Sequence, residues 1–268
     1  MTLQLRIASA SLALVPLMAQ ASPQGGHLSA APQTTLSTTA LPTGKVFRLD
    51  RRTSVYLPRS AAATEPKRLL VVMGGTGSNP DDVIRMFVPV AESGKTVLVA
   101  PHSRDENFDA IENFFDDLDA RKASAHELWP KPRFGEDAAA LDEALKRLFA
   151  ATRISPRHIA ILGLSHGGSY ALSLGTANPQ LFGAIAALSP GVLIFQADEP
   201  GRQRVFLAHG RQDNVQPFER TARNFVNKLS ALGYQVTFEP YDGGHETPAR
   251  VLNDALKFAL NPPAEHSK

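Results

Sequence analysis

The stretch 159–168 constrains the fold of this chain more than any other part of the sequence. It begins as a short apolar run typical of a buried β-strand, and the residues after it, 169–174, are typical of the first turns of a helix. Ser165 lies at the turn between them, with Gly163 two residues before it and Gly167 two residues after it. A strand that turns this sharply into a helix brings the two elements close together, and only small residues fit at both positions. The stretch therefore predicts a strand, a strained turn and a helix in succession.

A serine at the apex of such a turn is presented in a way that suits a nucleophile, as in the pattern G-x-S-x-G. The helix that follows directs free N–H groups toward any negative charge that develops beside Ser165. The pattern is short, and a glycine-rich turn without a chemical role has the same residues. The rest of the chain must therefore supply the groups that would activate the serine.

The composition is that of an ordinary globular domain. Of the 268 residues, 43% are hydrophobic and 20% are charged, which is enough apolar material for one sizeable core. The absence of cysteine excludes thiol catalysis, disulfide bonds, cysteine-based metal sites and a lipid-modified N-terminal cysteine. The formal net charge is +2 and no block of like charges stands out, so we expect no nucleic-acid partner.

Residues 1–21 have the features of a secretory signal peptide. Arg6 precedes an apolar run, 7–18, and an A-x-A site ends at Ala21. The run is too short to span a bilayer comfortably and no later stretch qualifies, so we expect no membrane insertion of the mature form. We predict an exported protein, periplasmic or extracellular, cleaved after about Ala21. An amphipathic first helix of the fold is the alternative.

The domain is predicted to extend over residues 44–262. The stretch 22–43 is rich in small and polar residues and indicates a flexible leader outside the core, and 263–268 is a tail. In between, an antiparallel strand pair precedes apolar strands that alternate with amphipathic helices, which predicts a single-domain α/β fold with a mostly parallel, doubly wound sheet covered on both faces. The long connection 102–135 is predicted to be a lid or a substrate wall. Its acidic and phenylalanine-containing part, 105–119, favours an amphipathic helix over a metal site.

Two residues further along the chain have the chemistry that a serine nucleophile needs. A serine hydroxyl is a poor nucleophile unless a base removes its proton and an acid holds that base in one tautomer. Asp213 and His245 each follow a predicted strand, and the carboxyl ends of such strands meet at one edge of a parallel sheet. We predict Ser165, Asp213 and His245 as catalytic residues. Asp242 is a competing acid on the loop of His245, and Asp213 as a plain turn residue is the alternative.

The three segments, in this order, resemble the α/β-hydrolase superfamily. His209 and Gly210 before Asp213, and Gly244 before His245, look like the acid and base segments of that superfamily. They are similar above all to its carboxylesterase/phospholipase and dienelactone-hydrolase-like group, with polyhydroxybutyrate depolymerases and feruloyl esterases nearby. The resemblance extends from about residue 44 to residue 260.

The resemblance implies the α/β-hydrolase fold and a serine esterase that needs no metal or organic cofactor. In it Ser165 is the nucleophile, His245 is the general base and then the general acid, and Asp213 orients His245. The expected substrate is a small-molecule or polymeric carboxylic ester, and the oligomeric state is left open. A serine peptidase of the prolyl-oligopeptidase type and a non-catalytic binding protein of the same fold are the alternatives.

The resemblance also implies an oxyanion hole built from backbone N–H groups. One donor is the N–H of His166, directly after the nucleophile. The second comes from the loop after Met73, where relatives often carry His-Gly-x and this chain has Gly74, Gly75 and Thr76. Because the donor is a backbone group, the missing histidine need not impair the hole. Thr76 is our first choice for it and Gly75 the second.

Substrate contacts are predicted only coarsely. Gly74 in the glycine-rich loop, His102 after a strand at the same edge, and Trp129 within the long connection are candidates. A place in the core is the alternative for Trp129. The ring of His166 either lines the pocket or faces solvent. We expect His209 to be structural rather than catalytic.

Overall fold

The computed structural model describes most of the chain between residues 25 and 261. The described ranges are 25–37, 40–59, 65–124, 133–194 and 203–261, with the backbone alone for 120–124. The predicted signal peptide, the predicted tail and Trp129 lie outside the described residues. Within these ranges no helix is both long enough and apolar enough to cross a membrane.

One sheet of eight strands forms the centre of the domain. In chain order its strands are β1 (Val46–Arg48), β2 (Thr53–Tyr56), β3 (Lys67–Met73), β4 (Thr96–Pro101), β5 (Ile154–Leu164), β6 (Ala184–Leu188), β7 (Arg204–Gly210) and β8 (Gln235–Tyr241). Across the sheet the order is β1-β2-β4-β3-β5-β6-β7-β8. The pairs β1–β2 and β2–β4 are antiparallel, and all other neighbours are parallel. This confirms the predicted antiparallel opening and mostly parallel sheet.

Helices cover both faces of the sheet, as predicted. Those described are α1 (Pro80–Gly94), α2 (Asp109–Ser124), α3 (Glu136–Ala151), α4 (His166–Ala177), α5 (Ala222–Ala231) and α6 (Ala249–Leu260). Successive residues of a strand point to opposite faces. In β3, Leu70 and Val72 therefore pack in the cluster with α1 and α6, while Leu69 and Val71 pack in the cluster with the other four helices. The burial of each such side chain stabilises the folded state by about 1.5–3 kcal/mol.

The sheet topology decides which loops meet. β3 and β5 are neighbours, and β5, β6, β7 and β8 follow one another in parallel. The loops that leave the carboxyl ends of β3, β5, β7 and β8 therefore lie along one edge. These are the loops that carry the glycine-rich segment, Ser165, Asp213 and His245.

The described part of the predicted leader, residues 25–37, differs from the prediction. Leu28 and Ala30 are each only 5% exposed and belong to the core. The Leu28 N–H donates to Asn178 Oδ1 at 2.7 Å, and the Ala30 N–H donates to Asp142 Oδ1 at 2.8 Å. The composition did not indicate this, because one leucine and a few backbone hydrogen bonds attach the segment. We call residues 25–37 the N-terminal strap, and part of it belongs to the core although it lies before residue 44.

The stretch 102–135 contains helix α2, whose start is joined to that of α3. Asp109 Oδ2 accepts a hydrogen bond from the Asp137 N–H at 2.8 Å, and Asp137 Oδ2 accepts one from the Asp109 N–H at 2.7 Å. Ile111 is fully buried whereas Phe115 is 40% exposed, which agrees with the predicted amphipathic helix. The role of this stretch as a lid or substrate wall stays a prediction.

Candidate active site

The turn between β5 and α4 has the strained geometry that its sequence predicted. Ser165 has φ 55° and ψ −123°, a region that costs a non-glycine residue about 1–3 kcal/mol. A Cβ atom at Gly163 would lie 2.0 Å from the Gly167 carbonyl oxygen, and one at Gly167 would lie 2.2 Å from that of Gly74. The Ser165 N–H donates to the Leu188 carbonyl oxygen at 2.8 Å, which holds the turn on the neighbouring strand. The two glycines are therefore required by close backbone contacts.

The structure brings Ser165, Asp213 and His245 together. The Ser165 hydroxyl lies 2.8 Å from His245 Nε2, and His245 Nδ1 lies 2.7 Å from Asp213 Oδ2. Because a carboxylate only accepts hydrogen bonds, Nδ1 carries the ring proton. The lone pair of Nε2 then faces the serine hydroxyl, which donates to it. This is the arrangement in which a histidine can remove the serine proton.

Asp213 is held in one orientation by four donors. Its side chain is 0% exposed. Oδ1 accepts hydrogen bonds from the N–H groups of Val215 at 2.9 Å and Gln216 at 2.7 Å. Oδ2 accepts from His245 Nδ1, and His209 Nε2 lies 3.1 Å away from the same oxygen. The hydrogen bonds from Val215 and Gln216 therefore position the carboxylate independently of His245.

His209 has a structural position that also touches the site. Its ring is completely buried, and Nε2 lies 2.7 Å from the Gln216 carbonyl oxygen. Burial lowers the pKa of His209, so the ring is neutral, and Nε2 carries the proton because both of its neighbours are acceptors. The sequence indicated a structural role, but it did not show the contact with Asp213.

The competing acid, Asp242, does not contact His245. Its carboxyl group is 91% exposed and lies 3.6 Å from Arg211 Nε. The histidine instead faces Asp213 on the neighbouring loop. The choice between the two acids thus follows from the orientation of the Asp242 side chain toward solvent.

The glycine-rich loop after β3 lies against the turn, as an oxyanion hole requires. A Cβ atom at Gly75 would lie 3.6 Å from Ser165 Cβ. The Ser78 N–H donates to the Gly75 carbonyl oxygen at 3.1 Å, which closes the loop into a turn. Thr76 Oγ1 lies 2.6 Å from His166 Nδ1. The two predicted candidates for the second donor therefore lie beside the turn, Gly75 next to Ser165 and Thr76 next to His166.

The ring of His166 faces the loop before α2 rather than open solvent. Nδ1 contacts Asn107 Oδ1, and the ring centroid lies 6.3 Å from that of Phe115. Burial lowers the pKa of His166, the Glu112 carboxylate raises it, and His245 lowers it. The net direction is downward, so the ring is neutral at pH 7. Asn107 and Glu112 carry no sequence motif and were not predicted as part of the site.

The three residues predicted to contact substrate lie in different places. Gly74 is buried, and its carbonyl oxygen packs against Gly167. His102 is exposed beside β2, where its N–H donates to the Arg52 carbonyl oxygen and its Nδ1 lies 2.6 Å from the Ser103 carbonyl oxygen. Trp129 lies outside the described residues. Gly74 therefore has a packing role through its carbonyl oxygen, and His102 is attached to the residue that precedes β2.

The described residues contain no group of three or more histidine, aspartate or glutamate side chains that could hold a metal ion.

A mostly parallel eight-stranded sheet, with a serine on a strained turn after its central strand and an aspartate and a histidine on later strand ends, defines an α/β-hydrolase fold. A family model described as phospholipase/carboxylesterase matches residues 60–260. The chain belongs to this phospholipase/carboxylesterase family. The match confirms the resemblance to the carboxylesterase/phospholipase group.

Solved structures share the fold at low sequence identity. Esterase PE8 is 24% identical, with a TM-score of 0.56 over 80% of this chain and 97% of that one. A phospholipase/carboxylesterase from Dyadobacter fermentans is 18% identical, with a TM-score of 0.53 over 83% of this chain and 100% of that one. Fluorophosphonate-binding serine hydrolase F of Staphylococcus aureus is 14% identical, with a TM-score of 0.56 over 78% of this chain and 92% of that one. Comparison with curated proteins gives no match.

Proposed function

We propose that the protein is an exported serine esterase that cleaves carboxylic esters through an acyl-enzyme on Ser165. The observation that carries the proposal is the pair of hydrogen bonds, 2.8 Å and 2.7 Å long, that join Ser165, His245 and Asp213. Membership of the phospholipase/carboxylesterase family supports the reaction class. The signal-peptide pattern over residues 1–21 supports export to the periplasm or beyond the cell.

In the first half of the reaction, Ser165 Oγ attacks the ester carbonyl carbon while its proton passes to His245 Nε2. The charge that develops on the carbonyl oxygen is stabilised by the N–H groups of His166 and Thr76, with Gly75 as the alternative second donor. Each such hydrogen bond is worth about 3 kcal/mol in the transition state. The tetrahedral intermediate then collapses, and the alcohol oxygen leaves with the proton from Nε2. The acyl group remains on Ser165.

In the second half, a water molecule gives a proton to His245 Nε2 and its oxygen attacks the acyl carbon. The same N–H groups stabilise the second oxyanion. Ser165 Oγ then leaves, takes the proton back, and the carboxylic acid is released. Asp213 accepts the Nδ1–H throughout and stabilises the positive charge that His245 carries in each half.

The surroundings of the site favour an ester with an apolar part. Phe115 is 40% exposed, and its ring lies near that of His166, the residue after the nucleophile. Val215 is 58% exposed beside Asp213, to which its N–H donates. Exposed apolar side chains near a site gain free energy when a substrate covers them. Small aryl or acyl esters and polymeric esters both offer such surface.

The proposal is tested with Ser165→Ala, assayed on p-nitrophenyl esters of increasing acyl length, feruloyl esters and polyhydroxybutyrate. We expect kcat/KM on every substrate that the parent protein cleaves to fall by at least about a thousandfold, because the residue that forms the acyl-enzyme is gone. Labelling by a fluorophosphonate should disappear with it.

Ser93→Ala, at an exposed position near the end of α1, is the matched control and should retain full activity. Undiminished ester hydrolysis by Ser165→Ala would overturn the proposal. Faster cleavage of an amide than of the ester with the same acyl group would favour a peptidase instead.

A further inference from the structure

Three polar side chains join the loops around the nucleophile. Thr76 Oγ1 lies 2.8 Å from Asn107 Oδ1 and 2.6 Å from His166 Nδ1, and Nδ1 also contacts the same Asn107 oxygen. Thr76 belongs to the loop after β3, His166 begins α4, and Asn107 precedes α2. One amide oxygen therefore links three segments that are far apart in the sequence.

The orientation of the Asn107 amide is determined by Glu112. Asn107 Nδ2 lies 2.7 Å from Glu112 Oε1. A carboxylate only accepts hydrogen bonds, so the NH2 group of the amide must face Glu112 and its carbonyl oxygen must face Thr76 and His166. Glu112 thus acts from α2 on the side of the amide away from the nucleophile.

This orientation assigns the proton on His166. Asn107 Oδ1 is an acceptor, so both of its neighbours must donate to it: the hydroxyl of Thr76 and Nδ1–H of His166. The neutral ring therefore carries its proton on Nδ1. A ring protonated on Nε2 alone would place two lone pairs against each other.

The same two residues are those whose backbone N–H groups would bind the oxyanion. All peptide bonds of the described residues are trans, so the Thr76 N–H points opposite to the Gly75 carbonyl oxygen, which is occupied by Ser78. The loop has a second attachment, since the Gly77 N–H donates to the Glu106 carbonyl oxygen at 3.0 Å. The segment before α2 thus holds the loop that contains Thr76 against His166.

We propose that Asn107 is a positioning residue of the oxyanion hole: its side-chain oxygen binds Thr76 and His166 together and sets the spacing of their backbone donors. The inference rests on the proposed function, because it assumes that these donors stabilise a tetrahedral oxyanion. A donor displaced by a fraction of an ångström loses much of its value in the transition state, whereas ground-state binding changes little.

The test is Asn107→Ala, with Asn113→Ala as the matched control. Asn113 lies further along α2, and its Nδ2 donates to the Arg133 carbonyl oxygen at 2.8 Å, away from the nucleophile. We expect kcat of Asn107→Ala on a p-nitrophenyl ester to fall about 10- to 100-fold with KM within about twofold, less than the loss of an entire donor. Asn113→Ala should keep the parent values.

Two further measurements separate positioning from a general loss of structure. A trifluoromethyl ketone, which forms a tetrahedral adduct with a serine, should bind Asn107→Ala more weakly in proportion to kcat/KM. The 15N resonances of the His166 ring in the parent protein should place the proton on Nδ1. This measurement needs neither activity nor a folded variant.

Several outcomes would overturn the inference. They are a proton on Nε2 alone, a kcat of Asn107→Ala within about twofold of the parent, a loss confined to KM, and an equal loss in Asn113→Ala. An active Ser165→Ala variant would overturn the proposed function itself. Ester hydrolysis that depends on Ser165 but not on Asn107 would overturn this inference alone.

Discussion

At the scale of single residues, the site depends on which atoms are able to donate and which only accept. Asp213 accepts from Val215 and Gln216 through one oxygen and faces His245 and His209 with the other. An amide at this position would turn one of these oxygens into a donor. With a donor facing it, His245 would no longer be held in the tautomer that carries its proton on Nδ1.

We therefore expect Asp213→Asn to lower kcat by about 10³- to 10⁴-fold on any ester that the protein cleaves, because His245 would be held in the wrong tautomer. Asp242→Asn is the matched control, since that carboxyl group is exposed and faces Arg211. The measurement is kcat for both variants at several pH values. Similar losses in the two variants would contradict the assignment of Asp213 as the acid.

At the scale of secondary-structure elements, the start of α2 is fixed by a pair of carboxylates. Asp109 and Asp137 each cap the other's helix, and Asp137 also forms an ion pair with Arg52. Asp109 Oδ1 is buried without a hydrogen-bond partner among the described residues. Burial raises the pKa of Asp109 to about 6 from its ordinary 3.8, against the lowering effect of the backbone N–H groups and Arg52.

A raised carboxyl pKa means that the folded state binds the proton more tightly than the unfolded state. The stabilisation by this proton is complete below about pH 4 and is lost as the pH rises through about 6. Asp109→Asn keeps an oxygen that can accept the Asp137 N–H but does not titrate. We expect it to be more stable than the parent at pH 8, by at most about 3 kcal/mol.

Chemical denaturation between pH 4 and pH 8 measures this difference. The free energy of unfolding of Asp109→Asn relative to the parent should rise between pH 4 and pH 6 and then level off. Asp105→Asn, whose carboxyl group is 69% exposed, should show no such change. A constant difference for Asp109→Asn across the range would contradict the raised pKa.

At the scale of the whole molecule, the N-terminal strap connects the first described residues to the core. Leu28 is 5% exposed, and the Ser29 hydroxyl donates to Asp142 Oδ2 at 2.7 Å. Asn178 also donates to the Gly26 carbonyl oxygen at 2.7 Å. These contacts lie on α3 and at the end of α4, the helix that begins directly after Ser165, so the strap stabilises the helix layer at a distance from Ser165 itself.

We expect Leu28→Ala to lower the free energy of unfolding by about 2–5 kcal/mol, because it leaves a cavity in the core, with little change in kcat. Gln33→Ala, at an exposed position of the strap, is the control. An unchanged unfolding free energy of Leu28→Ala would contradict the role of Leu28.

Both variants are measured on protein recovered from outside the cytoplasm. The mass of this protein should correspond to a chain that begins at Ser22, and exported protein that retains residues 1–21 would contradict the proposed cleavage.

The sequence by itself determined the strands of the sheet, the turn at Ser165 and the order of its partners. These features depend on local requirements: apolar runs suited to buried strands, and glycines where two backbones touch. Gly163 and Gly167 indicate the sharp turn in the sequence because no other residue fits between the strand and the helix.

Only the tertiary structure decided what surrounds Ser165, Asp213 and His245. It placed His209 beside the Asp213 carboxylate, turned Asp242 toward solvent, attached the strap through Asp142, and placed Asn107 between Thr76 and His166. Asn107 and His166 are 59 positions apart, and neither lies in a pattern that refers to the other. Such contacts follow from how loops pack at the carboxyl edge of the sheet, and an isolated asparagine in a connection carries no local signal of it.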